Sequence, residues 1–140
     1  MIKEAYVSFE VAKLLKEKGF DGACNRVYQG PKLKYTTLDI SPLMCLGGLG
    51  GFDPKQLYVT NSELDDIVYA APTHQMALAW LRTKHIVIVI GPIYFSVDGT
   101  CFSWEVVIFK DGAYDKVMVD YHTYEDAVEA AIKYCLEKLF

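Results

Sequence analysis

The sequence predicts an α+β fold, with three helices packed on a largely antiparallel sheet, in the order α-β-β-(insert)-α-β-β-β-α. Three observations predict it. Apolar residues recur at helical spacing in three separate windows, each opened by a capping residue or a proline. Between the second and third windows lie three β-forming segments joined at Asp98-Gly99 and Asp111-Gly112, and Asp-Gly favours a tight hairpin because both residues tolerate positive φ. The composition, 52% apolar and 23% charged over 140 residues, supports a packed core and excludes a disordered chain.

The first helix opens at Ser8, an N-cap, with Glu10 in the first turn where the helix dipole favours negative charge. Val7, Val11, Leu14 and Leu15 form its apolar stripe. Gly19 ends it, because glycine takes the left-handed conformation that a helix end requires, and Phe20 folds back onto Leu15. From Cys24 to Ile40 the period changes: β-formers on both sides of Gly30-Pro31 predict a two-stranded hairpin.

Residues 41–66 form an irregular insert. It contains "LMCLGGLGGFDP" (Leu43 to Pro54), a short β-like "LYVT", and "NSELDD", read as a capped turn with Ser62 as cap and Glu63, Asp65 and Asp66 solvated. The glycines do not make a phosphate loop. No Lys-Ser or Lys-Thr follows them, the Gly-x-Gly-x-x-Gly spacing is missing, and Phe52-Asp53-Pro54 opens a helix poorly. Leu43, Met44, Leu46, Leu49 and Phe52 are apolar side chains in a loop, so they are candidates for contact with a partner chain or for packing on the parent domain.

The second helix starts at Thr73 after Pro72, lines Met76, Ala77, Trp80 and Leu81 on one side, and ends near Lys84 and His85. Three strands follow. In the middle one Phe102, Trp104, Val106 and Ile108 share the core face, while Cys101, Ser103, Glu105, Val107 and Phe109 share the other. Tyr94 and Phe109 project from that second face and offer an apolar surface to a subunit or peptide if no helix covers it. The third helix is capped by Thr123, with Asp126 at the capping-box position. Ala127, Val128, Ala131, Ile132, Cys135, Leu136 and Leu139 form its stripe, and Glu129 and Lys133 lie on the opposite side. No linker splits the chain, so residues 1–140 read as one domain.

Several functions are disfavoured. The net charge of −4 offers no general attraction to nucleic acid or anionic lipid. The longest apolar run, "HIVIVIGPIYFSV", is too short for a membrane span, and the N-terminus is not a signal peptide. Cys24, Cys45, Cys101 and Cys135 never form Cys-x-x-Cys, which favours free thiols in a reducing cytoplasm. His74, His85 and His122 each sit at an element boundary without a second ligand nearby, which favours capping or surface roles over metal binding. Cys24 or Cys101 with a histidine base is a conceivable nucleophile, but no local signature marks either. No catalytic residue, metal ligand or cofactor is assigned.

Two resemblances stand beside this reading. "VSFEVAKLLKEKGF", "APTHQMALAWLRTKH" and "YHTYEDAVEAAIKYCLEKL" resemble segments of a family of small uncharacterised proteins from gut bacteria and their phages. That resemblance implies an intracellular, phage- or prophage-borne accessory protein and carries over no function. From residue 73 onward, the order helix, three-strand meander, Ala-rich helix is similar to the double-stranded-RNA-binding domain. There the final helix begins with phosphate-gripping lysines. The matching positions here are Thr123, Tyr124, Glu125, Asp126 and Glu129, whose acidic members repel a phosphate backbone.

The sequence therefore points to a small, non-catalytic cytoplasmic interaction protein that binds a protein partner or itself, through Leu43, Met44, Leu46, Leu49, Phe52, Tyr94 and Phe109. The rival from another class is a small-molecule-binding protein or enzyme with a pocket under the Gly-rich loop. Nucleic-acid binding is the weakest reading.

Overall fold

A computed structural model describes residues 4–36, 58–94 and 99–140, the side chains of Cys101 and Phe102 excepted. The elements are α1 (Phe9–Glu17), β1 (Arg26–Gln29), β2 (Lys32–Tyr35), a 3-10 turn (Asn61–Glu63), β3 (Val68–Ala70), α2 (His74–Thr83), β4 (Ile86–Tyr94), β5 (Cys101–Lys110), β6 (Ala113–Tyr121) and α3 (Tyr124–Lys138). The class is the α+β one that the periodicities predict. The described strands form two antiparallel sheets, β2-β1-β3 and β4-β5-β6. The chain divides into two units, one of Tyr6–Thr73 and one of Met1–Ala5 with His74–Phe140.

In the first unit, α1 is bounded as its sequence dictates. Ser8 Oγ accepts the Val11 N–H at 3.2 Å, and Gly19 has φ +92°. The Gly19 N–H donates to Lys16 O and the Phe20 N–H to Leu15 O, at 3.1 and 2.9 Å, which is the paired hydrogen bonding of a Schellman end. Val7, Val11, Leu15 and Phe20 are buried. The helix lies on the aromatic side of the β2-β1-β3 sheet, where the Phe9 ring meets Tyr28 and Tyr69 edge-on at 5.7 and 5.6 Å. Lys16 Nζ donates to Asp65 O and Val68 O at 2.7 and 2.9 Å.

The β1–β2 hairpin turns at Gly30-Pro31, with Gln29 opposite Lys32. Gly30 has φ +63° and proline cannot take a positive φ, so the turn follows the type II′ pattern. On the opposite side of this sheet Val27, Val59 and Val68 cluster with Leu64. The 58–64 segment is held there by Asn61, whose Nδ2 donates to Phe20 O and whose Oδ1 accepts the Ala70 N–H, both at 2.8 Å. The turn is capped by Thr60 rather than by Ser62: the Thr60 N–H donates to Glu63 Oε1 at 3.0 Å. Ser62 instead gives its N–H and hydroxyl to the Asp21 carboxylate, at 2.8 and 3.0 Å.

In the second unit, α2 ends where His85 takes φ +61°. Strand β5 is the middle of the sheet, and the turn into β6 has Asp111 and Gly112 at φ +52° and +78°, the two positive values of a type I′ turn. β6 carries extra residues against β5: from the Trp104↔Tyr121 pair to the Val106↔Met118 pair, β5 advances by two residues and β6 by three. Asp120, with φ +70°, lies in that bulge. Thr123 Oγ1 accepts the Asp126 N–H at 3.0 Å and starts α3. Ala127, Val128, Ala131, Ile132, Cys135 and Leu136 are all buried, which is the predicted stripe except for Leu139, the half-buried C-cap.

Candidate interaction face

Successive side chains of β4, β5 and β6 point to opposite sides of their sheet. Ile86, Val106 and Ile108 share one side and are buried. Both helices of the unit lie there. Trp104, on the same side, is half-buried and meets Tyr124 of α3 edge-on, with ring centroids 5.5 Å apart. Trp80 of α2 stacks on Phe140 at 5.4 Å.

The other side is built in cross-strand rows. Val87 stands opposite Phe109, which stands opposite Tyr114, and Val89 stands opposite Val107, which stands opposite Val117. Neither row contains a charged residue. Val87, Val89, Val117, Val119 and Tyr114 are 42%, 50%, 38%, 49% and 63% exposed. Phe109 and Val107 are half-buried among them. Glu105, opposite Gly91, is the first carboxylate met along this face. The result is a flat strip of β-branched and aromatic side chains turned away from the helices.

The residues singled out from sequence fall unequally on this face. Phe109 lies in its middle. Tyr94 is exposed and pairs with Cys101 across a shift of register at Ile93–Tyr94. Leu43, Met44, Leu46, Leu49 and Phe52 lie outside the described residues, as does the pocket that the rival reading places under them. Sequence reasoning missed Val87 and Val89 of β4 and Val117 of β6. The alternation of the first two is hidden because β4 reads "IVIVI", apolar on both faces.

The buried polar groups read as structural. His74 is not a surface residue: it begins α2, is 6% exposed, and its Nε2 lies 2.7 Å from Glu129 Oε2 of α3. The pair joins two helices across 55 residues of sequence, a distance no local pattern reveals. A carboxylate that orients an imidazole is a component of acid–base sites, but this ring is too enclosed to meet a substrate. Burial pushes the thiols of Cys24 and Cys135 up to about 12. Burial keeps both protonated at neutral pH, the state of a structural thiol rather than a reactive one. Among the described residues, no group of three His, Cys, Asp or Glu side chains converges as a metal site, and no helix is long and apolar enough to cross a membrane.

No protein-family model matches the chain, and neither does any curated protein or solved structure.

Proposed function

We propose that this chain is a non-catalytic interaction protein whose β4–β5–β6 face binds a second copy of itself, in the reducing cytoplasmic setting that its cysteine usage favours. The observation that carries the reading is the exposure of Val87, Val89, Val117, Val119 and Tyr114 on the part of the sheet face that they share. Contiguous exposed apolar surface marks interaction sites far more than isolated apolar residues do. A second copy fits because a two-fold contact needs only a self-complementary patch. The rows through Val107 and Phe109 carry no charge to repel their own image. Sheets packed with strands antiparallel across the two-fold put Glu105 of each copy opposite Phe109 of the other, and keep the two carboxylates apart. Three strands about 4.8 Å apart and nine residues at about 3.3 Å each cover roughly 400 Å² in plan. Two such faces bury roughly 800 Å², below the roughly 1,200 Å² at which stable specific interfaces begin, so the dimer is weak and reversible.

Sedimentation equilibrium tests this. The wild type should pass from monomer to dimer between tens and hundreds of micromolar, roughly the range that such an area supports. The double substitution Val89→Lys, Val117→Lys should stay monomeric with unchanged circular dichroism. A wild type that remains monomeric throughout that range would refute self-association.

A further inference from the structure

Arg26 is the one arginine of the first unit, and its surroundings are unusual for a surface-strand cation. Its guanidinium carbon stands 3.4 Å from the centroid of the Tyr35 ring and 5.1 Å from that of Tyr6. At 3.4 Å the group is stacked on the Tyr35 face, in the contact that arginine makes better than lysine. The strand pairing explains the stack, since Arg26 and Tyr35 are direct cross-strand partners. Two further constraints hold the strand: the Arg26 carbonyl accepts the Ala71 N–H at 2.9 Å, and Tyr6 forms a bridge with Thr73.

No carboxylate among the described residues pairs with this charge. Its Nε is buried and has no acceptor there. A buried donor left unmet costs about 1–3 kcal/mol, and such groups in native proteins call for an explanation. The residue as a whole is only half-buried. The stretch from Cys24 to Thr36 carries no Asp or Glu, and its two lysines, Lys32 and Lys34, pair with Gln29 and Val27, on the other side of the sheet from Arg26.

We infer that Arg26 is an oxyanion-binding site, which takes a carboxylate or phosphate group on the nitrogen edge of a guanidinium fixed by Tyr35 and Tyr6. A planar fork of N–H donors held in one orientation matches two oxygens of such a group and loses little side-chain entropy on binding. Stacking supplies the orientation, and the ligand supplies the negative charge that no described carboxylate brings to the guanidinium. This site belongs to the first unit and does not depend on the sheet face proposed for self-association.

The test is a titration of the ¹⁵N-labelled full chain, following the Arg26 Nε–H signal and the Tyr35 amide at fixed pH and ionic strength. The probes are inorganic phosphate, acetate and chloride. A saturable shift with phosphate or acetate, at a midpoint about tenfold or more below any response to chloride, is the expected result. Saturation by phosphate first identifies a phosphate group as the ligand, and saturation by acetate first identifies a carboxylate. Arg26→Lys keeps the charge and loses the fork, and Tyr35→Leu keeps the guanidinium and loses the stack. Each should weaken binding about tenfold while the remaining amide signals stay in place. Equal response to all three anions, or wild-type binding in both variants, would overturn the site.

Discussion

At the scale of single residues, burial separates side chains that look alike in the sequence. Ile108 and Val89 are both β-branched residues in long strands, yet Ile108 is fully buried and Val89 is half exposed. Ile108→Ala should therefore lower stability by about 2–5 kcal/mol in chemical denaturation, and Val89→Ala should stay within about 0.5 kcal/mol. Asn61 is the most consequential polar residue of the first unit, because it meets Phe20 O and the Ala70 N–H together. Asn61→Ala leaves a buried acceptor and a buried donor unmatched and should cost about 2–4 kcal/mol. The neighbouring Ser62→Ala, whose bonds to Asp21 are exposed, should cost under about 1 kcal/mol. The two buried thiols give a pH dependence. Their folded values near 12 lie above the unfolded value of about 8.5. The folded state then holds its protons more tightly, so stability is intact below about pH 8.5 and falls as pH rises toward 12. Native-state alkylation at pH 8 followed by peptide mapping should leave Cys24 and Cys135 unmodified, and denaturant should expose both.

At the scale of elements, what was legible in the sequence is what local chemistry dictates. Ser8, Gly19 and Thr123 mark helix ends because each satisfies or releases specific backbone groups within four residues of itself. Asp111-Gly112 marks a hairpin for the same reason. The stripe from Ala127 to Leu136 was legible because a helix of fifteen residues repeats its pattern four times. β3 was not, because three residues are too few to show alternation, and its pairing with β1 across some forty positions sets its conformation. The split of the strands into two sheets also depends on distant pairing that no window contains. The open sheet face was half legible: Phe109 could be placed by alternation in β5, whereas the valines of β4 lay hidden in a run apolar on both sides. Capping makes the strongest element-level test. Thr123→Ala removes the acceptor for the Asp126 N–H and should cost about 0.5–2 kcal/mol, whereas Thr123→Ser should restore most of it. Both are read from denaturation midpoints.

At the scale of the whole molecule, charge decides which large partners are admissible. Eighteen acidic residues face fourteen basic ones. Where the sequence order resembles a double-stranded-RNA binder, the start of α3 presents Glu125 and Asp126 to solvent. A nucleic-acid interface must neutralise phosphates with several cations, and its affinity falls steeply with salt as counterions are released. Two carboxylates at the helix start would instead add repulsion, and the helix dipole that could attract a phosphate is already answered by those acidic side chains. The positive charge between Cys24 and Thr36 is three residues, Arg26, Lys32 and Lys34, divided between the two sides of their sheet and too few for the six to ten phosphate contacts, in rough terms, of a duplex binder. We therefore expect no gel shift of double-stranded RNA or DNA at physiological salt with about 10 μM protein. Binding should stay undetectable when Glu125 and Asp126 are neutralised to Gln and Asn, because removing repulsion does not create a cationic surface. A salt-dependent shift with the wild type would mean that residues outside the described part of the chain supply the phosphate contacts, and the reading of this protein as an interaction module for itself would have to give way.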